Sequence, residues 1–464
     1  MRKHKLVEMD WPVFGECERP QSAPWQEFES RITAARAAMA ERGLTHLVVY
    51  ADREHFANLA YLTGFEPRFE EAMLILGPRA VPLLVVGNEC EGYLKISPLW
   101  VNGKLRSERF QPFSLLDQPR ESSRQLQDIF RDEGIGAASQ VGCAGWKYFS
   151  QKEHTLGARA IEIPAYMVDT LRELASPERV VNATAIFMEP DRGLRTFCSP
   201  SEIAYFEYTN ILASEGLKRM IFGLREGILD HDLAKLAEYN GEPQGCHMTL
   251  KSGAHRIGLA SPVGVRIQRG GPFATNICYW GSNSCRAGWV AAGADDLPVE
   301  ARDYVAQFAG PYFEAISEWF GLLRIGTPGG ALDEVIRRRL PFEKFGIYLN
   351  AGHLIHLDEW VSSPVYQGSQ VKIHFGMAIQ VDVIPSSKTF FSTRVEDGVV
   401  IADAALRALL MAEYPAMMGR CQARRKFMID KLGIDLPEEV LPLSNIPGIV
   451  PPYMLAPRQV LTMA

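Results

Sequence analysis

Apolar residues in the first part of the chain recur with two different periods. Between residues 25 and 42 they follow helical spacing at Phe28, Ile32, Ala35 and Met39, and Gly43 ends the pattern. Short runs rich in Val, Leu and Ile alternate with further helical segments. The predicted strands are 45–50, 72–76, 81–86 and 140–143, and the further predicted helices are 125–132 and 165–174. This alternation predicts an α/β domain over residues 1–195, with some parallel strands.

The pattern changes near residue 195. Ser199, Pro200 and Glu202 occupy the N-cap, N1 and N3 positions of a helix start and predict a capping box. Helices are predicted to about residue 222 and at 230–239, 298–323 and 331–340, and strands within 246–293 and at 371–375, 377–384 and 393–401. This order predicts an α+β domain over residues 196–464 with one curved antiparallel sheet. The Pro-rich residues 447–457 are expected to form an ordered surface tail.

Composition narrows the class of protein. The 464 residues suit two domains, and 47% hydrophobic with 22% charged residues is typical of a globular protein. The net charge of −6 argues against a broad nucleic-acid surface. We see neither an apolar run of membrane-spanning length nor a secretory signal, and the eight cysteines are widely spaced. We therefore expect a cytoplasmic protein with reduced thiols that binds neither nucleic acid nor membrane.

Two acidic residues stand in otherwise apolar strand patterns. Asp382 lies within 377–384 and Glu396 within 393–401, and His353 precedes another apolar stretch. Burying a carboxylate is costly unless it is paired, hydrogen-bonded or bound to a metal. Together these residues predict a functional site; a structural ion pair with Arg394 is the alternative.

Several segments, in this order, resemble motifs of the creatinase/aminopeptidase P/prolidase family. They are residues 58–65 (NLAYLTGF), 199–203 (SPSEI), 352–353 (GH), 376–382 (GMAIQVD) and 394–397 (RVED). The resemblance implies an N-terminal α/β domain followed by a catalytic domain with the pita-bread fold.

The same resemblance shows where this chain departs from the family. The catalytically active metallopeptidases of the family bind two metal ions through Asp, Asp, His, Glu and Glu side chains. The matching positions here are Asn276, Cys285, His353, Asp382 and Glu396. Because two carboxylates are missing, we expect no dinuclear centre and no other cofactor. One soft metal held by Cys285, His353 and an acid stays open as an alternative.

Creatinase, within this family, works without metal and places its catalytic histidine in a G-A-H segment. Gly253-Ala254-His255 matches that segment, and creatinase also has Asn at the position of Asn276. The resemblance therefore implies that His255 is the general acid/base, a role suited to a histidine near neutrality. A solvated loop histidine is the alternative.

Four residues are predicted to contact the substrate. Arg68 resembles a position from which creatinase reaches into its partner subunit, which implies a homodimer and a bidentate contact with a substrate carboxylate; a surface salt bridge is the alternative. Asn276 stands at the former metal position. His356 replaces a family glycine and Trp360 a family histidine, so both would reshape the substrate cleft; a packed histidine is the alternative for His356.

The sequence thus predicts a hydrolase of a C–N bond (amide, amidino or peptide) in a small nitrogenous metabolite. Its catalytic residues would be His255, His353, Asp382 and Glu396. Two alternatives remain: a metal-dependent Xaa-Pro aminopeptidase or lyase with one metal, and a non-catalytic binding module.

Overall fold

The computed structural model describes residues 3–253 and 259–464, and the chain divides after Arg195 into two units. One unit is Ser22–Arg195. The other joins Thr196–Ala464 with the N-terminal segment through Gln21. That segment belongs to the second unit because its strand β1 (His4–Glu8) pairs antiparallel with the last strand of the chain. The division differs from the sequence-based boundary only in this segment.

The unit Ser22–Arg195 is an α/β domain built on a six-stranded mixed sheet. Its strand order is β5-β4-β3-β2-β6-β7, with parallel pairs β2–β6, β4–β5 and β6–β7. The strands are β2 (His46–Ala51), β3 (Ala72–Leu76), β4 (Leu83–Val86), β5 (Arg106–Arg109), β6 (Val141–Ala144) and β7 (Val180–Asn182). The helices are α1 (Trp25–Glu41), α2 (Ala57–Thr63), α3 (Cys90–Tyr93), α4 (Pro98–Val101), α5 (Leu126–Asp132), α6 (Ala165–Ala175) and α7 (Ala185–Met188). The predicted α/β class is confirmed, because apolar runs form the four central strands, which are buried throughout.

The second unit begins with the long helix α8 (Pro200–Gly223), and its predicted capping box is present. The Ser199 side chain accepts a hydrogen bond from the Glu202 amide, and the Glu202 carboxylate accepts one from the Ser199 amide. The other helices are α9 (Asp230–Lys235), α10 (Gly310–Leu322), α11 (Gly329–Arg339), α12 (Phe342–Phe345), α13 (Ala404–Glu413) and α14 (Pro415–Asp430).

Two four-stranded antiparallel sheets replace the single curved sheet predicted for this unit. Their orders are β13-β10-β9-β8 and β11-β12-β14-β15, and β16 pairs with β1. The strands are β8 (Leu250–Ser252), β9 (Pro272–Tyr279), β10 (Ser282–Trp289), β11 (His353–Leu354), β12 (Ala378–Gln380), β13 (Arg394–Glu396), β14 (Gly398–Ile401), β15 (Val440–Pro442) and β16 (Gln459–Met463). Asp397 alone separates β13 from β14, so one short continuous segment supplies a strand to each sheet.

Two further expectations for this unit differ from the structure. Residues 263–271 and 371–375 form no strand beyond single bridges at Arg266 and Lys372.

In the part of the chain that the structure describes, no helix is both long and apolar enough to cross a membrane.

The C-terminal segment is buried, so its prediction as a surface tail is wrong. Arg286 on β10 is completely buried, and its guanidinium donates hydrogen bonds to the carbonyls of Ile446 and Ile449, at 2.6 Å each. It also donates to the carboxylate of Asp397 at 2.8 Å. One buried cation thus fixes the C-terminal segment against the junction of β13 and β14.

Replacing Arg286 with Met should lower the free energy of unfolding by about 3–5 kcal/mol, because the Asp397 carboxylate would remain buried without its partner. Urea denaturation measures this change. The matched control is Arg269→Met, which breaks an exposed ion pair with Asp296 and should cost much less. Equal losses in the two variants would contradict a special role for Arg286.

Candidate active site

Three positions matched to the family's metal ligands lie in one row across a sheet. Cys285 on β10 is directly opposite Asn276 on β9 and Glu396 on β13. Directly opposite residues of antiparallel strands point to the same face. The tight hairpin at Trp280 and Gly281 sets this register. The three side chains therefore share one face of the sheet.

The second sheet supplies His353. This imidazole is buried, and its Nδ1 lies 3.2 Å from the carbonyl oxygen of Leu354. Because a carbonyl only accepts, Nδ1 is the donor in this contact. The other ring nitrogen, Nε2, lies 3.4 Å from Oε1 of Glu359. His353 and Glu359 therefore form a His–carboxylate pair, and the Glu359 side chain is 26% exposed.

An amide connects this pair to the row of strand residues. Asn283 Nδ2 donates to Oε1 of Glu396 at 2.9 Å and to Oε1 of Glu359 at 3.3 Å. Its Oδ1 accepts from Asn276 Nδ2 at 3.1 Å. The Asn276 oxygen already accepts two hydrogen bonds from Thr249, at 2.7 and 2.6 Å. Asn276 thus holds Asn283 in place, and its polar atoms are engaged within the protein rather than directed to a substrate.

Asp382 carries a buried oxygen that the protein leaves unpaired. Among the described residues, its Oδ1 has no hydrogen-bond partner. Burial raises the pKa of this carboxyl, and the charges of Arg394 and His353 oppose the rise. An unsatisfied buried oxygen costs free energy unless a proton, water or ligand meets it. Asp382 is therefore the group in this site that most needs an external partner.

Glu396 is even less easily ionised. Burial raises its pKa well above the ordinary value of 4.5, and the charges of Asp382 and Glu359 raise it further. Arg394 acts in the opposite direction but does not cancel these effects. The carboxyl groups are close enough to titrate as a group. The cluster therefore retains a proton at pH values where an exposed glutamate has lost its own.

Cys285 is a buried thiol beside the Arg394 guanidinium. Burial raises its pKa to about 12, and Arg394 Nη1 lies 3.3 Å from its sulfur. A thiol binds metal as the thiolate. Among the described residues, the sulfur of Cys285 is not part of the group of close ligand atoms in this site, and a single metal held by Cys285 stays an alternative.

The residues of the site fit one divalent cation but not two. Asn276 is neutral, and its side-chain amide is already hydrogen-bonded to Thr249 and Asn283. Within the described residues, ligand atoms of His353, Glu359 and Glu396 all lie within 4.8 Å of one another. One imidazole and two carboxylates are a suitable donor set for a single ion.

The remaining predicted residues lie in different settings. Trp360 is 43% exposed, and its ring centroid lies 6.1 Å from that of His353, so it borders the cluster. His356 is fully buried, with Nε2 3.0 Å from Oε1 of Glu202. Such burial does not suit the substrate contact predicted for His356.

Two predicted residues cannot be placed with the cluster. His255 lies outside the described residues, so its catalytic role stays a prediction. Arg68 contacts residues of its own unit: its Nε lies 2.7 Å from Glu66 Oε1 and donates to Tyr93 Oη at 3.0 Å. Its contact with a substrate also stays a prediction.

Glu359 and Asn283 are site residues that the sequence analysis did not identify. Asn283 stands two positions before Cys285, so strand periodicity alone places it on the same face. Glu359 immediately precedes Trp360 in an irregular segment, where no periodicity predicts the direction of a side chain. The first could have been found from the sequence; the second required the structure.

The fold is shared with several solved structures. Similar chains include a dipeptidase from Mycobacterium ulcerans (TM-score 0.61, 19% identity, 82% of this chain and 95% of that chain). A prolidase from Pyrococcus horikoshii OT3 has a TM-score of 0.61 and 16% identity, over 80% of this chain and 95% of that one. This chain has the pita-bread fold. The fold expected from the sequence motifs is therefore confirmed.

The same fold also occurs outside peptidases. The N-terminal domain of the FACT complex subunit SPT16 from chickpea (Cicer arietinum) has a TM-score of 0.57 and 14% identity, over 82% of this chain and 95% of that one. Neither a protein-family model nor a curated protein matches the sequence. Function must therefore be argued from the site.

The raised pKa of Glu396 should appear in the pH dependence of stability. Above about pH 4.5 the unfolded chain loses the proton that folded Glu396 keeps. The folded state then binds more protons, so stability falls as the pH rises toward the folded pKa. Glu396→Gln should make this decline shallower between about pH 5 and pH 8, as measured by urea denaturation. Exposed Glu343→Gln is the control, and an unchanged decline in Glu396→Gln would contradict the assignment.

Proposed function

We propose that this chain hydrolyses a C–N bond, of amide, amidino or peptide type, in a small nitrogenous substrate, without a dinuclear metal centre. The observation that carries the proposal is the convergence of Glu359, Asp382 and Glu396 on His353, together with the unpaired buried oxygen of Asp382. Two solved structures with this fold are a dipeptidase and a prolidase. Enzymes of these two kinds hydrolyse peptide C–N bonds.

The cluster contains both a proton acceptor and a proton donor. Glu359 is partly exposed and paired with His353, so it can take a proton from an attacking water. Glu396 is buried and holds its proton more tightly, so it can protonate the departing nitrogen. A C–O bond forms as the C–N bond breaks. Proton exchange through the exposed edge of Glu359 then restores the cluster.

Other groups of the site would bind the substrate. Asp382 offers its free oxygen to a substrate N–H group or to the attacking water. The exposed ring of Trp360 can stack on a flat amide or amidino group. As an alternative to proton donation by Glu396, a single divalent ion held by His353, Glu359 and Glu396 would supply Lewis-acid polarisation of the scissile carbonyl, and Glu396 would then be an ionised ligand. The homodimer, the role of Arg68 and the role of His255 remain parts of this proposal.

Similarity to the FACT subunit favours a second candidate, a pita-bread module that binds a partner without catalysis. Such a module has no need of a buried carboxyl cluster with raised pKa values. The same assays separate the two candidates, because a binding module would hydrolyse none of the substrates offered.

Glu359→Gln and Glu396→Gln should each lower kcat by about 10²–10⁴-fold, because each removes one proton-transfer group. The assay is a panel of dipeptides, small amides and guanidino compounds, with the released amine or ammonia measured. Glu343→Gln, an exposed substitution on α12, should retain activity. His255→Ala should lose most turnover and His374→Ala little. Full activity in both cluster variants would contradict the mechanism.

Metal content should not exceed one tightly bound divalent ion per chain at the active site, because Asn276 and Cys285 cannot complete a second ligand set. Elemental analysis gives the number of metal ions per chain in the wild type and in Glu396→Gln. The difference between the two is the number of ions bound at this site. Loss of two ions per chain in the variant would contradict the proposal.

A further inference from the structure

A second group of metal-ligand side chains lies away from His353, at the start of α8. The ligand atoms of Cys198, Glu202 and His356 all lie within 4.8 Å of one another. We propose that these three residues bind one zinc ion, at a site separate from the active-site cluster. The proposal does not depend on the hydrolase function.

The three side chains come from two pieces of backbone: Cys198 and Glu202 lie at the start of α8, and His356 lies in a distant segment. The Cys198 amide donates to the carbonyl of Gly376 at 2.8 Å. Oε2 of Glu202 accepts from the Ser199 amide at 2.9 Å in the capping box. The His356 amide donates to the carbonyl of Asp358 at 3.1 Å. Backbone positions held in this way are what a preorganised metal site requires.

The donor atoms match zinc better than a hard cation. Thiolate, imidazole and carboxylate are all zinc ligands, whereas calcium and magnesium prefer oxygen alone. A tetrahedral ion with bonds of ~2.0–2.3 Å holds its ligand atoms ~3.3–3.8 Å apart. His356 Nε2 and Glu202 Oε1 are already 3.0 Å apart, so adjustments of about an ångström suffice. Three protein ligands would leave the fourth position of the ion to a water molecule.

An ion bound by His356 would also stabilise the backbone segment that carries His353 and Glu359. His356 lies three residues after His353 and three residues before Glu359. An ion held by His356, Cys198 and Glu202 would fasten this short segment to the start of α8. It would thereby hold the backbone that carries both members of the His–carboxylate pair.

Cobalt substitution tests the site in the full-length protein. After removal of metal by a chelator, Co²⁺ at this site should give a thiolate-to-cobalt charge-transfer band in the near ultraviolet and visible bands typical of tetrahedral cobalt. Cobalt at His353, Glu359 and Glu396 has no thiolate ligand and gives no such band. Zinc added afterwards should abolish the band at one equivalent per chain.

Matched variants decide the assignment. Cys198→Ser and His356→Asn should each lose the charge-transfer band, whereas Glu359→Gln should keep it. Cys421→Ser is the control, because Cys421 is buried in the same hydrophobic cluster as Cys198. If Cys198→Ser fails to fold, His356→Asn retains the thiol and tests the same site. Absence of the band from the wild type, or its persistence in both ligand variants, would overturn the proposal.

Discussion

The site depends on one physical constraint: its carboxyl groups are buried in an interior with too few compensating charges. Asp382 and Glu396 are buried beside the partly exposed Glu359, and Arg394 is the guanidinium that acts on both buried groups. Although burial disfavours its charge, its neighbours raise the pKa of Arg394 and keep it cationic. Among the described residues, Arg394 and a protonated His353 are at most two cations against three carboxylates in a poorly solvated site. The cluster must therefore hold a proton, bind a cation or do both.

The substitutions at the former metal positions fit this charge balance. By the sequence resemblance, Asn276 and Cys285 stand where the family has two aspartates, so this site has two fewer negative charges than a dinuclear centre would neutralise. Asn276 instead holds Asn283, whose amide donates to two carboxylates. The pita-bread fold can in this way carry a buried carboxyl cluster without a dinuclear ligand set. Acid–base chemistry is the natural use of such a cluster.

Sequence patterns predicted local structure better than long-range structure. The α8 capping box and the apolar strands β2 and β3 depend on neighbouring residues, so spacing alone predicts them. The motifs also identified His353, Asp382 and Glu396. The burial of residues 447–457 depends on Arg286, more than 150 residues away, and no local pattern indicates it. Glu359 and the Cys198–Glu202–His356 group likewise arise from contacts between distant or irregular segments.

The central claim is that water adds across a C–N bond at this cluster. Its most direct test is to incubate the purified protein with a defined mixture of dipeptides, amides and guanidino compounds in H₂¹⁸O and to follow all masses. The account predicts a consumed substrate whose carbonyl-side product gains one ¹⁸O atom, and no such product with Glu396→Gln. Cleavage without ¹⁸O incorporation, or formation of the same labelled product at the same rate by Glu396→Gln, would contradict it.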